Sequence, residues 1–175
     1  AWTCGMVEEE DPFNDDEITE QRVFGDCQFR SYRLAVATTG EYSNFFDAQS
    51  PAESGLVLSQ VVTAINRVNE VYEADLAVRL ILIGNNTAVF YYDPGGDPFS
   101  GDACTQLTQN QNNMTAVIGS ANYDVGHVFS VGSGGCAGLG VICNNANKGR
   151  GATGLNPPTG DPFYIDYVAH ELGHQ

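Results

Sequence analysis

The chain has 175 residues, 42% of them hydrophobic, which is enough for one domain with a buried core. Its net charge is −15 with only seven lysines and arginines, and this argues against binding to nucleic acid or to anionic membranes. The sequence also contains no run of ~18 apolar residues, so we expect no membrane partner.

Residues 1–28 differ in composition from the rest of the chain. Two acidic runs, 8–11 and 15–17, dominate this segment, and its apolar residues follow no period. Such a segment buries little apolar surface, so we predict an acidic leader ahead of a single domain at 29–175.

The domain alternates between strand and helix patterns. Residues 29–38 alternate as a strand, and apolar residues spaced by four, four, three and four predict a helix over about 50–74: Val57, Val61, Ile65, Val68 and Tyr72. Further strands are predicted at 76–83, 89–92 and 125–131, a second helix at 105–119 and a short extended segment at 141–143. Residues 93–102, 132–140 and 144–160 are interpreted as loops. This order predicts an α/β fold around a mostly parallel sheet.

The last residues of the sequence carry the pattern H-E-x-x-H, formed by His170, Glu171 and His174. On a helix the two histidines lie ~40° apart on one face, so both imidazoles can reach one Zn²⁺. Glu171 projects beside the metal, where it can take a proton from metal-bound water and pass it to a leaving amine. The pattern therefore predicts a zinc site.

The residues before the motif favour an amphipathic helix. Its apolar stripe, formed by Ile165, Val168 and Leu172, lies opposite the histidines. We predict that this helix starts with Asp161 as N-cap and Pro162 as its first residue.

Five cysteines, an odd number, indicate two disulfides and one thiol with another task, which favours a secreted protein. Two pairings are considered, Cys4–Cys27 and Cys136–Cys143.

Asp93, Asp97 and Asp102 lie in a glycine-rich segment, where oxygen ligands can hold Ca²⁺. Their spacing fits no standard calcium loop, so a solvated acidic turn is the alternative.

Several segments together resemble one family, the bacterial reprolysin-like (adamalysin-branch) metzincins. They are residues 64–80, 124–130, 134–143, 148–154 and 168–175. The resemblance implies a metzincin-like N-terminal subdomain with a twisted sheet of about five strands, two main helices and the helix that carries the motif.

The family motif continues as H-E-x-x-H-x-x-G-x-x-H and is followed later by a Met-turn. This sequence stops at Gln175, so we expect the C-terminal subdomain to be absent and this chain alone to bind zinc weakly. The other histidine, His127, lies in a predicted strand among apolar neighbours. A structural role is favoured for it over a role as the third ligand.

The resemblance also bears on Cys4 and on a glycine-rich edge. Cys4-Gly5 is similar to the element near the end of reprolysin propeptides whose thiolate occupies the open position of the zinc. A Cys4–Cys27 disulfide is the alternative. By the same resemblance, Gly138, Leu139, Gly140 and Val141 line the substrate cleft as an edge strand to which a peptide can add. The alternative there is a flexible loop held by a Cys136–Cys143 bridge.

The sequence therefore predicts a secreted zinc endopeptidase that acts on peptides or proteins with Glu171 as general base. Two alternatives remain: a non-catalytic module that binds a peptide or partner through its edge strand, and a helix that binds a different metal through His170 and His174.

Overall fold

The computed structural model of the protein describes residues 28–175 and, ahead of them, the short strand formed by residues 4–6. The strands are β1 Cys4–Met6, β2 Arg30–Thr38, β3 Val78–Leu82, β4 Val125–Ser130, β5 Gly134–Ala137 and β6 Gly151–Gly154. The helices are α1 Gly40–Phe45, α2 Ser54–Asp75, α3 Ala103–Val117, α4 Gly160–Phe163 and α5 His170–His174, with a π-helical stretch Tyr164–Ala169 between the last two.

The strands form one sheet in the order β1-β5-β6-β4-β2-β3. β2 pairs in parallel with β3 on one side and with β4 on the other, and β4 pairs in parallel with β6. β5 is antiparallel to β6, and β1 runs parallel to β5 at the edge of the sheet. The predicted α/β class with a mostly parallel sheet is confirmed.

Each face of the sheet is covered by helix. On one face, α2 and the C-terminal helical segment pack on β2 and β4 through a single apolar cluster that includes Val61, Ile65, Phe129, Phe163 and Leu172. All five apolar residues that predicted the first long helix are buried in that cluster. On the other face, α3 packs through a second cluster that includes Leu107, Met114 and Val128. The C-terminal helix is thus held against the core on its apolar side.

The strand predicted at 89–92 is wrong. The chain there forms a 3₁₀ turn, Asn86–Val89, followed by one isolated bridge between Phe90 and Thr38. The buried Asn86 side chain accepts from Val36 N (2.8 Å) and donates to Val36 O (2.9 Å). The Asn86 side chain therefore satisfies the backbone N–H and C=O of β2 beyond the point where β3 ends. A further strand is not needed there.

Within 29–175, two strands were missed and one segment was wrongly predicted as extended. β5 and β6 lie inside the stretches interpreted as loops, 132–140 and 144–160. Conversely, 141–143 is not a strand, and Cys143 has a φ of 63°. β5 and β6 are short and rich in glycine, so neither shows an alternating apolar pattern.

The cysteines form a disulfide that the sequence did not predict. Cys104 of α3 is bonded to Cys136 of β5, with a Cα–Cα distance of 5.1 Å, and Cys143 is an exposed thiol. The Cys136–Cys143 alternative is therefore wrong. Cys27 and most of the acidic leader, residues 7–27, lie outside the described residues, so the Cys4–Cys27 alternative stays a prediction.

Among the described residues, no helix is both long and apolar enough to cross a bilayer.

Candidate metal centre

The helical segment that carries the motif starts two residues earlier than predicted and is not a uniform α-helix. Thr159, not Asp161, occupies the N-cap position, and no side chain caps the helix there. Asp161 lies in the first turn, where its carboxylate accepts from Nε of Arg67 on α2 (2.9 Å). This ion pair is exposed and fixes the start of the segment to the neighbouring helix.

The π-helical stretch ends directly before His170. Tyr72, from the last turn of α2, donates its hydroxyl to the carbonyl of Ala169 (2.5 Å). π-Helical turns are frequent at functional sites because they change the direction in which the next side chains project. Tyr72 holds that change of direction in place, one residue before the first histidine.

His170 and His174 converge as the motif predicts. Their Nε2 atoms lie 3.0 Å apart, and their rings meet edge to face with centroids 4.6 Å apart. Two nitrogens bound tetrahedrally to one zinc at ~2.0–2.1 Å would lie about 3.3 Å apart. Burial lowers the pKa of His174, and the neighbouring His170 lowers it further, which favours the neutral form that a metal ligand requires. The two side chains therefore fit one zinc ion.

Glu171 lies on the buried side of the pair. Its side chain is 2% exposed, and Oε2 has no hydrogen-bond partner among the described residues. Burial raises the pKa of this carboxyl to about 7. A carboxylate left without a donor in a buried position is costly, so the environment fits a group that exchanges a proton with something bound at the histidines.

Gly135 of β5 makes room for this carboxylate. A Cβ on Gly135 would lie 2.8 Å from Cδ of Glu171 and 2.9 Å from its Cγ, and it would overlap Oε1. Any side chain at this position of β5 would therefore displace Glu171. The glycine brings β5 into contact with the glutamate of the motif.

The end of the motif is anchored by Gln175. Its Nε2 donates to the carbonyl of Gly126 (3.0 Å), and its Oε1 accepts from Nδ1 of His127 (2.7 Å). The main-chain carbonyls of His174 and Gln175 accept from the N–H groups of Gly140 and Ile142, both at 2.9 Å. Side chain and backbone together hold the last turn of the helix against the sheet.

His127 has a structural role. Because the Gln175 amide nitrogen faces a carbonyl, its oxygen must face His127, whose Nδ1 then carries the proton. Nε2 of His127 accepts from the hydroxyl of Thr153 (2.8 Å). The ring is fully buried and uses both nitrogens within the protein, so it has none for a metal.

The three aspartates of the suggested calcium site accept hydrogen bonds from different backbone N–H groups. Asp102 caps α3 by accepting from Thr105 N (2.8 Å). Asp97 accepts from the N–H groups of Gly40 and Phe99, and Asp93 accepts from Gly95 N. No group of three or more His, Cys, Asp or Glu side chains fit to hold a metal occurs within the described part of the chain. The calcium prediction therefore has no such cluster to support it here.

The strand expected at 138–141 lies earlier in the chain, and β1 covers its outer side. The strand is Gly134–Ala137, and Gly138–Val141 follows it in a turn next to the end of the motif helix. Residues 138–141 are thus not a strand. β1 lies along the outer side of β5, with Cys4 opposite Gly135 and Gly5 opposite Cys136.

The sequence pattern missed Gly135, Tyr72 and Gln175. Gly135 sits in a glycine-rich run that looks like a loop, and Tyr72 appears only as one apolar residue of a helix stripe. The contacts that give them a role join segments far apart in the sequence. Gln175 alone had a local signal, because it directly follows the motif.

The comparison with known families agrees with this geometry. The family model of the metallo-peptidase family M12B, reprolysin-like, matches residues 29–175. The chain belongs to this family. The α/β architecture of a metzincin-like subdomain, predicted from the resemblance, is confirmed for this reprolysin-like metallopeptidase. No curated protein matches the chain.

Proposed function

We propose that the protein is a zinc-dependent endopeptidase that hydrolyses peptide bonds with Glu171 as general base. The observation that carries this proposal is the buried carboxylate of Glu171, with Oε2 unpartnered among the described residues, beside two converging imidazoles. His170 and His174 would hold the zinc. When bound, zinc supplies Lewis-acid polarisation of the scissile carbonyl and lowers the pKa of a water molecule.

Glu171 would perform the proton transfers. Its pKa of about 7 places the carboxyl between its two protonation states near neutral pH. A general base works best with a pKa near the working pH, since it must accept a proton and later release it. Glu171 would accept the proton of the attacking water and then donate it to the leaving amine.

The peptide substrate would bind along β5. β5 is the last strand of the sheet apart from β1, and its residue Gly135 touches the Glu171 carboxylate. An extended peptide can add to such an edge by main-chain hydrogen bonds. A peptide on this edge would bring one of its bonds beside Glu171, while the sequence preference would come from pockets around the edge.

We also propose that the leader, residues 1–28, keeps the enzyme latent. β1 occupies the outer side of β5, with Cys4 paired to Gly135, the residue in contact with Glu171. A substrate peptide and the leader would compete for this edge. A Cys4 thiolate bound at the metal position would exclude the attacking water.

The latency proposal is tested by Cys4→Ser, with Cys143→Ser as the matched control because Cys143 is an exposed thiol elsewhere. Peptidase activity of the gene product that contains the leader should rise in the first variant and stay constant in the second. Equal activity of both variants would contradict a role for Cys4.

We further propose that the protein acts outside the cytosol. The Cys104–Cys136 disulfide supports an oxidising compartment, where such bonds persist.

A chelator experiment tests the peptidase proposal itself. Cleavage of an unstructured protein by the full-length gene product should stop with a chelator and return with Zn²⁺. His174→Ala should remove both cleavage and its recovery, and His127→Gln, at a histidine bonded within the core, serves as the control that keeps zinc dependence. Peptide binding without cleavage, unchanged by the chelator, would instead favour the non-catalytic module.

A further inference from the structure

A cavity lies at the carboxyl ends of β2 and β4, apart from the histidine pair of the motif. Its volume is about 180 Å³, and Thr39, after β2, and residues 131–133, after β4, form two of its sides. From β2 the chain passes through α2 to β3 on one side, and it returns through α3 to β4 on the other. The cavity therefore lies at the point where the strand order reverses, the place where open α/β sheets bind ligands.

One residue of the cavity lining carries a buried acceptor without a donor in the described part of the chain. Gln106 of α3 lines the cavity and is 4% exposed, yet its Oε1 meets no hydrogen-bond donor among the residues that the structure describes. A buried amide oxygen without a donor costs ~1–3 kcal/mol. A ligand with an N–H group would remove that cost.

The charges around the cavity favour a cation. Glu41, an exposed residue, is part of the cavity lining. Asp97 lies near it: burial raises the pKa of the Asp97 carboxyl, and the negative charges of Glu41 and Asp93 raise it further. The first N–H groups of α3 do not offer an anion site. Ala103 N donates to Ser133 O, and Thr105 N and Gln106 N donate to Asp102.

The shape of the cavity favours a long side chain over a bare metal ion. Its volume of about 180 Å³ is more than ten times the ~10–15 Å³ that one water molecule needs on the same measure. Among its lining residues Glu41 is the one carboxylate, whereas Ca²⁺ takes ~6–8 oxygen ligands. Phe99 and Val131 supply apolar walls of the kind that accommodate the methylene stem of lysine or arginine.

The cavity is close to the proposed substrate edge. Ser133 lines it, Gly134 begins β5, and Gly135 touches Glu171. At ~3.3 Å per residue, a peptide extended along β5 passes from Glu171 to the cavity mouth within two to four residues. A side chain of that peptide can therefore enter the cavity while another part of the peptide lies at Glu171.

We propose that this cavity is a specificity subsite that takes a lysine or arginine side chain of the peptide substrate, two to four residues from the scissile bond. Its cationic head would donate to Oε1 of Gln106 and pair with Glu41, and its stem would pack against Phe99 and Val131. The identity of the occupant as a substrate residue rests on the proposed peptidase function, whereas the preference for a cationic head rests on the cavity alone.

The cationic preference is tested without catalysis. The probes are Nα-acetyl-lysine N-methylamide and its norleucine counterpart, which has the same stem but no ammonium group. Titration of the 175-residue protein, followed by amide chemical shifts in two-dimensional NMR, should show perturbation at Gln106, Gly101 and Gly132. We expect the lysine probe to bind about tenfold more tightly than the norleucine probe.

Matched variants separate a specific site from general attraction to an acidic protein. Glu41→Gln should remove most of the difference between the two probes, whereas Glu70→Gln, at an exposed carboxylate on α2, should keep it. Equal binding of both probes, or an equal loss in both variants, would overturn the proposal. So would displacement of the lysine probe by CaCl₂ with the same amides perturbed, because the cavity would then be a metal site.

The role as a substrate subsite is tested by cleavage. In the full-length gene product, kcat/KM for peptides with lysine in place of norleucine should be higher at one position within four residues of the scissile bond. Glu41→Gln should reduce this ratio. A ratio near one at every position would overturn the subsite even if the lysine probe binds. Absence of any cleavage would refute the peptidase proposal while the probe titration still reports on the cavity.

Discussion

The carboxylate of Glu171 lies directly against the α-carbon of Gly135, so closely that a methyl group on this glycine would overlap Oε1. The motif helix and β5 therefore meet at the residue proposed to move the proton. This contact connects the two halves of the proposed mechanism, because a peptide bound along β5 is positioned by the same strand that fixes Glu171.

Gly135→Ala should inactivate the enzyme without removing its metal ligands. The new methyl group must displace the Glu171 carboxylate, and a shift of about 1 Å in a catalytic group costs ~10²-fold in rate. Cleavage rates and zinc content of the full-length gene product measure the effect. Gly55→Ala in α2 is the control, since a Cβ there meets nothing within 4 Å and alanine stabilises a helix by about 0.5–1 kcal/mol. Full activity in Gly135→Ala would contradict the contact.

Tyr72→Phe should lower the free energy of unfolding by ~1–3 kcal/mol, because the carbonyl of Ala169 loses its donor in a partly buried position. Chemical denaturation measures this loss. Tyr42→Phe is the control. The Tyr42 hydroxyl is buried without a partner among the described residues, so its removal should be neutral or stabilising. Equal effects of the two substitutions would show that Tyr72 does not hold the π-helical stretch.

The motif and the long helix could be predicted from the sequence because their signals are local. The H-E-x-x-H pattern identified His170, Glu171 and His174, and the helical spacing of apolar residues predicted α2. β5 and β6 could not be predicted, because their glycines make room for side chains that are distant in the sequence. A Cβ on Gly151 of β6 would lie 2.5 Å from Cδ of Gln175, and Gly135 of β5 makes room for Glu171. In the sequence, a glycine that makes room for a distant side chain cannot be distinguished from a glycine in a loop.

The cysteine pairing could not be predicted from the sequence either. Cys104 and Cys136 are 32 residues apart and meet only because α3 packs across β5. The odd cysteine count indicated a free thiol, and the structure has one at Cys143. The pairing of Cys4 and Cys27 stays a prediction.

The pH dependence of stability should contain two opposing contributions in the metal-free protein. Burial lowers the pKa of His127 to about 4, so the unfolded state binds more protons between about pH 4 and 6.5 and stability falls as the pH falls. Burial raises the pKa of Glu171 to about 7, so the folded state binds more protons between about pH 4.5 and 7 and stability falls as the pH rises. Each contribution is roughly 3 kcal/mol over its full window.

Glu171→Gln should therefore reveal the His127 contribution. Its free energy of unfolding should rise from pH 4.5 to 6.5 by ~2 kcal/mol more than that of the unsubstituted protein. Denaturant titrations of both proteins at the two pH values, in the presence of a chelator, make the comparison. The same change with pH in both proteins would contradict the raised pKa of Glu171.

The most direct test of the central claim measures zinc content and peptide cleavage in the same preparation of the full-length gene product carrying Glu171→Gln. Glutamine keeps the shape of the side chain but cannot accept the proton, so zinc content should equal that of the unsubstituted protein. Cleavage should fall by ~10²–10⁴-fold, the usual contribution of a general base. Unchanged cleavage with zinc bound would contradict the assignment of Glu171 as the base.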